Sequence, residues 1–142
     1  MERTQKQKIL IIDGSELNRA ILADMLGDEY DIIEAENGLR GVDILRRQGA
    51  DISLVLLDPV MPELDGFGVL SAMNQNRWIE DIPVVMISAE SGTSLVERAF
   101  SLGAADFITR PFHPLIARRR VDNAVRLRAK ENRQHSAPSV RP

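Results

Sequence analysis

Short apolar runs alternate with segments of helical periodicity along the whole chain. Lys8 to Ile12 predicts a buried strand, and Ser15 then offers an N-cap oxygen to a helix from Glu16 to about Leu26, with Leu17, Ile21 and Met25 at helical spacing. Tyr30 to Ala35 reads as a second strand. Asn37 can cap a helix running to about Gln48, with Leu39, Val42 and Leu45 inward. "SLVLLD", Ser53 to Asp58, has the unbroken apolar character of a strand covered on both faces. The segment "PVMPELDG" is a loop, Phe67 to about Asn76 a helix, and "IPVVMIS", Ile82 to Ser88, a fourth strand. Ser94 and Glu97 have capping-box spacing for a helix reaching Leu102, closed by Gly103. Asp106 to Ile108 is a short fifth strand. Pro111 and Pro114 precede a last helix from Leu115 to about Lys130, with Pro114 suited to its first turn. In that helix Ile116, Val121, Ala124 and Leu127 are expected inward, and Arg118, Arg119, Arg126 and Arg128 in water. Phe67, Trp78, Phe100 and Phe112 are expected as packing residues, and His113 as an N-cap or surface residue.

A βα unit repeated five times builds a parallel sheet with helices on both faces and right-handed crossovers. Ligands of such sheets bind beyond the carboxyl ends of the strands, where the strand order reverses. The residues that end strands are therefore the ones to weigh: Asp13, Asp58, Ser88 and Arg110. Each alone has an ordinary reading as a cap, a turn former or a surface cation. Together they place two carboxylates, a hydroxyl and a cation on one sheet edge. Carboxylates suit a hard cation such as Mg²⁺, and a cation with a hydroxyl suits phosphoryl oxygens.

Composition narrows the class. The 142 residues are the size of one domain, expected over residues 8–130, with a polar tail at 1–7 and a disordered tail or linker start at 131–142. The absence of cysteine excludes disulfides and thiolate chemistry. No apolar run approaches the roughly 20 residues of a membrane span, and "MERTQKQK" lacks a signal-peptide core, so a cytoplasmic location without membrane contact is expected. The net charge of -3 hides an asymmetry. Residues 1–116 carry 10 basic and 19 acidic side chains, a balance of -9, whereas residues 117–142 carry 8 basic and 2 acidic ones, a balance of +6. The basic segment has no aromatic residue to stack on bases, so any link to nucleic acid is expected to be indirect.

The segment "LLDPVMPELDGFGVL" resembles the centre of the response-regulator receiver family, with a strand-ending Asp, then Met-Pro, then Asp-Gly. "MISAE" and "GAADFITRPF" resemble its later signatures, in the same order, and the likeness runs from about Lys8 to Val125. It implies a flavodoxin-like doubly wound α/β fold with five parallel strands in the order 2-1-3-4-5. It implies a phosphoacceptor signalling module rather than an enzyme. Asp58 would take a phosphoryl group from a histidine kinase or phosphotransfer protein. Asp13, Asp58 and the backbone carbonyl of Val60 would hold Mg²⁺. Ser88 and Arg110 would meet the phosphoryl group, and Ser88 and Phe107 would form the switch. Arg110–Pro111 matches a bond that is cis in the family. Output would pass through the fourth helix, fifth strand and last helix to a downstream domain or partner, with a homodimer as one option.

Two positions depart from the family pattern. Gly14 stands where a second acidic metal ligand is usual, and Arg110 stands where lysine is usual. The family site carries about -2 without metal; here Asp13, Asp58 and Arg110 sum to about -1, so the demand for a dication is weaker. A guanidinium forks onto a carboxylate with two hydrogen bonds, and pairing with Asp58 is the expectation for Arg110. Mg²⁺ binding is therefore expected to be weak or absent, with water, Glu16 or a partner filling part of the missing coordination. The alternative is a degenerate receiver that works as a phosphorylation-independent interaction module. Pro59 removes one N–H beside the acceptor and leaves that of Val60. "IIDGSE" also resembles the haloacid-dehalogenase phosphatase motif, but the nucleophile position there is Ile11, which carries no such chemistry.

Overall fold

The computed structural model describes residues 6–61 and 63–136. Ten main elements alternate strictly: β1 (Gln7–Ile12), α1 (Glu16–Leu26), β2 (Tyr30–Ala35), α2 (Gly38–Gln48), β3 (Ile52–Leu57), α3 (Gly66–Gln75), β4 (Val84–Ser88), α4 (Thr93–Ser101), β5 (Asp106–Thr109) and α5 (Pro114–Ser136). Short 3-10 turns lie at Gly49–Asp51 and Trp78–Glu80. The five strands form one parallel sheet in the order β2-β1-β3-β4-β5. This is the doubly wound architecture expected from the alternation.

Successive residues of a strand point to opposite faces, and the core divides accordingly. On one face Leu10, Ile12, Val55, Leu57, Val84, Met86 and Phe107 pack with α2, α3 and α4. On the other, Ile9, Ile11, Leu54, Leu56, Val85, Ile87 and Ile108 pack with α1 and α5. Strands buried on both faces need this unbroken apolar sequence, which is why their positions were legible. A half-buried hydrogen bond also ties α5 to the sheet: the Tyr30 hydroxyl donates to Asp122 at 2.6 Å. Burial, then this carboxylate, pushes the Tyr30 phenol well above its ordinary value.

Ser15 and Asn37 cap α1 and α2 as expected, accepting from the N–H groups of Asn18 and Arg40. Asp65 caps α3. The box at Ser94 does not form; α4 starts two residues earlier than it implies, at Thr93, with Gly92 in the cap position. Gly103 ends α4 at φ +102°, a conformation glycine adopts without strain.

The helix phases differ from the sequence reading. In α1 the buried residues are Leu22 and Leu26, while Leu17 and Ile21 are exposed. In α2 Leu39 is exposed and Ile44 joins Val42 and Leu45. In α5 the buried stripe is Ala117, Val121 and Val125, with Ile116 and Leu127 in solvent. Apolar residues occur on both sides of these helices, so spacing alone did not set the phase. Arg128 is not free in water: its guanidinium donates to the carbonyls of Ile79 and Glu80. Phe100 is exposed, whereas Phe67 is buried and Trp78 and Phe112 are half-buried. His113 is exposed at the start of α5, where its carbonyl accepts from Ala117. The helix continues to Ser136, six residues beyond the expected end at Lys130; the expected tail at 137–142 lies outside the described residues.

Candidate functional site

β1 and β3 are neighbours at the point where the strand order reverses, and their register pairs Ile12 with Leu57. Asp13 and Asp58 therefore leave adjacent strands side by side. Backbone bonds fix both: the Asp58 N–H donates to Ile12 and the Asp13 N–H to Ala35. β4 ends on Ser88, which is paired with Thr109, so Arg110 emerges beside it and its N–H donates to the Ser88 carbonyl at 2.8 Å. Among the expected site residues, Asp13, Asp58, Ser88 and Arg110 thus share one sheet edge. Gly66 supports this edge from below. A Cβ there would lie 2.5 Å from the Asp58 carbonyl oxygen, so only glycine lets α3 start this close.

The two carboxylates are in different states. Asp13 is 2% exposed and has both oxygens engaged. Oδ1 accepts from the Ser15 N–H at 2.8 Å, and Oδ2 accepts from Arg110 Nη2 at 3.0 Å. The Arg110 side chain is itself 18% exposed and also reaches the Ile87 carbonyl, at 3.4 Å. The cation therefore pairs with Asp13 and not, as expected, with Asp58. Desolvation is the reason: Asp13 is the more deeply buried charge and gains more from a counter-ion.

Asp58 is half-buried, and among the described residues no ion pair reaches it. Its Oδ1 accepts from the Val60 N–H at 3.0 Å. Burial raises its carboxyl above the ordinary value. The Val60 N–H and Arg110 oppose this, and Asp13 and Glu90 add to it. Ser88 is buried, and its hydroxyl accepts from the Glu90 N–H at 3.0 Å. Phe107 is buried against the α3–α4 side of the core. The Arg110–Pro111 bond is cis, as the resemblance implied.

Gly14 and Glu16 are exposed at the rim. Sequence reasoning missed Arg19. Its Nη1 donates to the Asp13 carbonyl at 2.7 Å while its Nε pairs with Glu34 at 3.0 Å, clamping α1 and β2 onto the first site residue. The available signal was its place in the first turns of a helix that starts at the site.

Comparison with known proteins agrees with this geometry. The response regulator receiver domain family matches residues 9–122. A relative described as a probable transcriptional regulator ycf27, from Porphyridium aerugineum, is 35% identical over 136 residues, covering 95% of this chain and 55% of the relative. A chemotaxis protein CheY homolog of Campylobacter jejuni is 28% identical over 120 residues, covering 83% of this chain and 92% of the relative. The CheX–CheY–BeF3–Mg complex of Borrelia burgdorferi contains a chain that superposes with a TM-score of 0.75 at 29% identity, covering 82% of this chain and 87% of the other. The chain belongs to the response regulator receiver family of two-component systems. It spans about half the length of the ycf27 relative and nearly all of the CheY homolog.

Receiver domains typically bind Mg²⁺. The residues present do not fit a resident dication. Among the described residues no cluster of three or more carboxylate, imidazole or thiolate groups is suited to a metal. Of the two nearby carboxylates, Asp13 already has both oxygens occupied.

Proposed function

We propose that this chain is a phosphoacceptor module in which Asp58 accepts a phosphoryl group from a histidine kinase or phosphotransfer protein. The observation that carries the reading is the contrast between the carboxylates. Asp13 is fully paired, whereas Asp58 stands half-buried at the switch point, oriented by the Val60 N–H and without a cation of its own. In the reaction a carboxylate oxygen of Asp58 forms the new P–O bond. The P–N bond of the donor phosphohistidine breaks, and its electron pair stays on the imidazole, which takes up a proton. Arg110 and the Ser88 hydroxyl stand beside Asp58 and receive the phosphoryl oxygens. Mg²⁺ binding is weak or absent, because Gly14 supplies no side-chain ligand.

A phosphoryl group adds about -1.5 to -2 in charge, and Ser88 moves toward it. Phe107 then repacks, which changes the face formed by α4, β5 and α5. Exposed Phe100 and Leu127 on that face favour a protein partner, a downstream output domain or a second copy of the chain. The functional unit is residues 8–130, and its location is cytoplasmic. Among the described residues no helix is long and apolar enough to cross a membrane.

One observation favours a second reading, a phosphorylation-independent interaction module: Asp13, the family's metal ligand, is already neutralised from within. Acetyl phosphate with Mg²⁺ or with EDTA, followed promptly by intact mass, separates the two readings, with Asp58→Asn as control. An adduct absent from the control supports the phosphoacceptor. No adduct under either condition leaves the interaction module.

A further inference from the structure

We propose that the Arg110 guanidinium is the built-in counter-ion of this site: it takes the place of a divalent cation on Asp13 and keeps one out. For the role of the site this rests on the phosphoacceptor reading; the exclusion of metal stands without it. Four observations converge. Asp13 is almost fully buried, so its charge requires a partner. Arg110 supplies one at 3.0 Å from Oδ2, while the Ser15 N–H holds Oδ1, so each oxygen of Asp13 already accepts from a donor. Arg110 is held in turn by the Ile87 carbonyl and by its own N–H on Ser88, so the cation is anchored to β4 as well as β1. Gly14 provides no side chain that would call for a second positive charge or ligate a metal.

A guanidinium carries one charge where Mg²⁺ carries two, and it stays protonated at every physiological pH. With Asp13 paired to Arg110, the negative charge that an incoming phosphoryl group faces is reduced to Asp58 and the nearby Glu90. Arg110 lies close enough to act electrostatically on Asp58 as well. The two departures from the family pattern then form one device. Losing the second acid removes the need for a dication, and replacing lysine by arginine supplies a planar donor able to span from Asp13 to the Ile87 carbonyl.

The test is metal binding on the full chain. Free Mn²⁺ is followed by electron paramagnetic resonance, beside melting temperatures with and without about 10 mM Mg²⁺. The wild type is expected to take up no Mn²⁺ and to show no Mg²⁺-dependent shift. Gly14→Asp combined with Arg110→Lys is expected to bind Mn²⁺, and its melting temperature should rise by about 3–5 °C at a tenfold excess of Mg²⁺ over Kd. Wild-type Mn²⁺ affinity within about tenfold of the double variant overturns the proposal, and so does a folded double variant that binds nothing. If the double variant does not fold, the wild-type titration still decides, since uptake there is fatal to the idea. The acetyl phosphate experiment separates this proposal from the reading beneath it. A wild-type adduct formed equally in EDTA supports both. An adduct that requires Mg²⁺ sinks the built-in counter-ion and keeps the phosphoacceptor. No Mn²⁺ uptake together with no adduct keeps the counter-ion and sinks the phosphoacceptor.

Discussion

Replacing Arg110 by methionine isolates the energetics of the ion pair. The change keeps much of the apolar stem and removes the charge, leaving Asp13 at 2% exposure with only the Ser15 N–H on its carboxylate. Removing one partner of a buried pair costs about 3–5 kcal/mol, because an uncompensated charge stays behind. Here the guanidinium is 18% exposed and one hydrogen bond survives, so the low end applies, about 3 kcal/mol. For a domain of this size that lowers the melting temperature by about 8–12 °C. Adding Asp13→Asn should recover most of the loss, since a neutral amide no longer requires the cation. Urea unfolding followed by circular dichroism, read as a double-mutant cycle, measures the coupling directly. A loss below about 1 kcal/mol for Arg110→Met would place the pair in the class of exposed salt bridges and refute the reasoning.

Two further outcomes are expected. Tyr30 is the sole tyrosine, so ultraviolet absorbance near 295 nm reports it alone, and its ionisation should begin well above the usual range near 10. Because the folded state favours the neutral phenol, stability should fall as pH rises beyond the unfolded value of about 10, and Tyr30→Phe should remove this fall while costing about 1–2 kcal/mol at pH 7 through the lost bond to Asp122. Asp58 has the opposite role to a stabilising carboxylate. Its folded pKa is raised, so its ionised form weakens the fold at neutral pH, and that penalty fades as pH falls through the folded value toward the unfolded one near ~4. Asp58→Asn should therefore raise the melting temperature at pH 7 and lose this advantage in acid. An unchanged or lowered melting temperature at pH 7 would count against the burial argument.

The sheet was legible because its strands are continuous apolar runs, and parallel strands covered on both faces leave few other readings. The strand-ending residues were legible for the same reason, since a strand's end places its next side chain at the edge. Helix phase was not. Leu17 and Ile21 of α1, or Ile116 and Leu127 of α5, satisfy helical spacing as well as the residues that are buried, and only the packing partners decide between them. The partner of Arg110 was also beyond reach. Spacing places both carboxylates near it, while the choice turns on Asp13 lying deeper than Asp58 and on Val60 already serving the latter. Arg19 escaped notice because its role runs through a main-chain carbonyl, which no residue pattern records. The last turns of α5 are polar enough to read as tail, and the Arg128–Glu131 pair at helical spacing was the clue to their helical continuation.

The anchoring of Arg128 on the Ile79 and Glu80 carbonyls gives α5 a fulcrum. Beyond it the helix runs on to Ser136 as a lever arm about 12 Å long, at 1.5 Å per residue. A tilt of ~10° about that fulcrum moves the tip by about 2 Å. Any such tilt would displace the far end most, and its reach is set by where Arg128 grips.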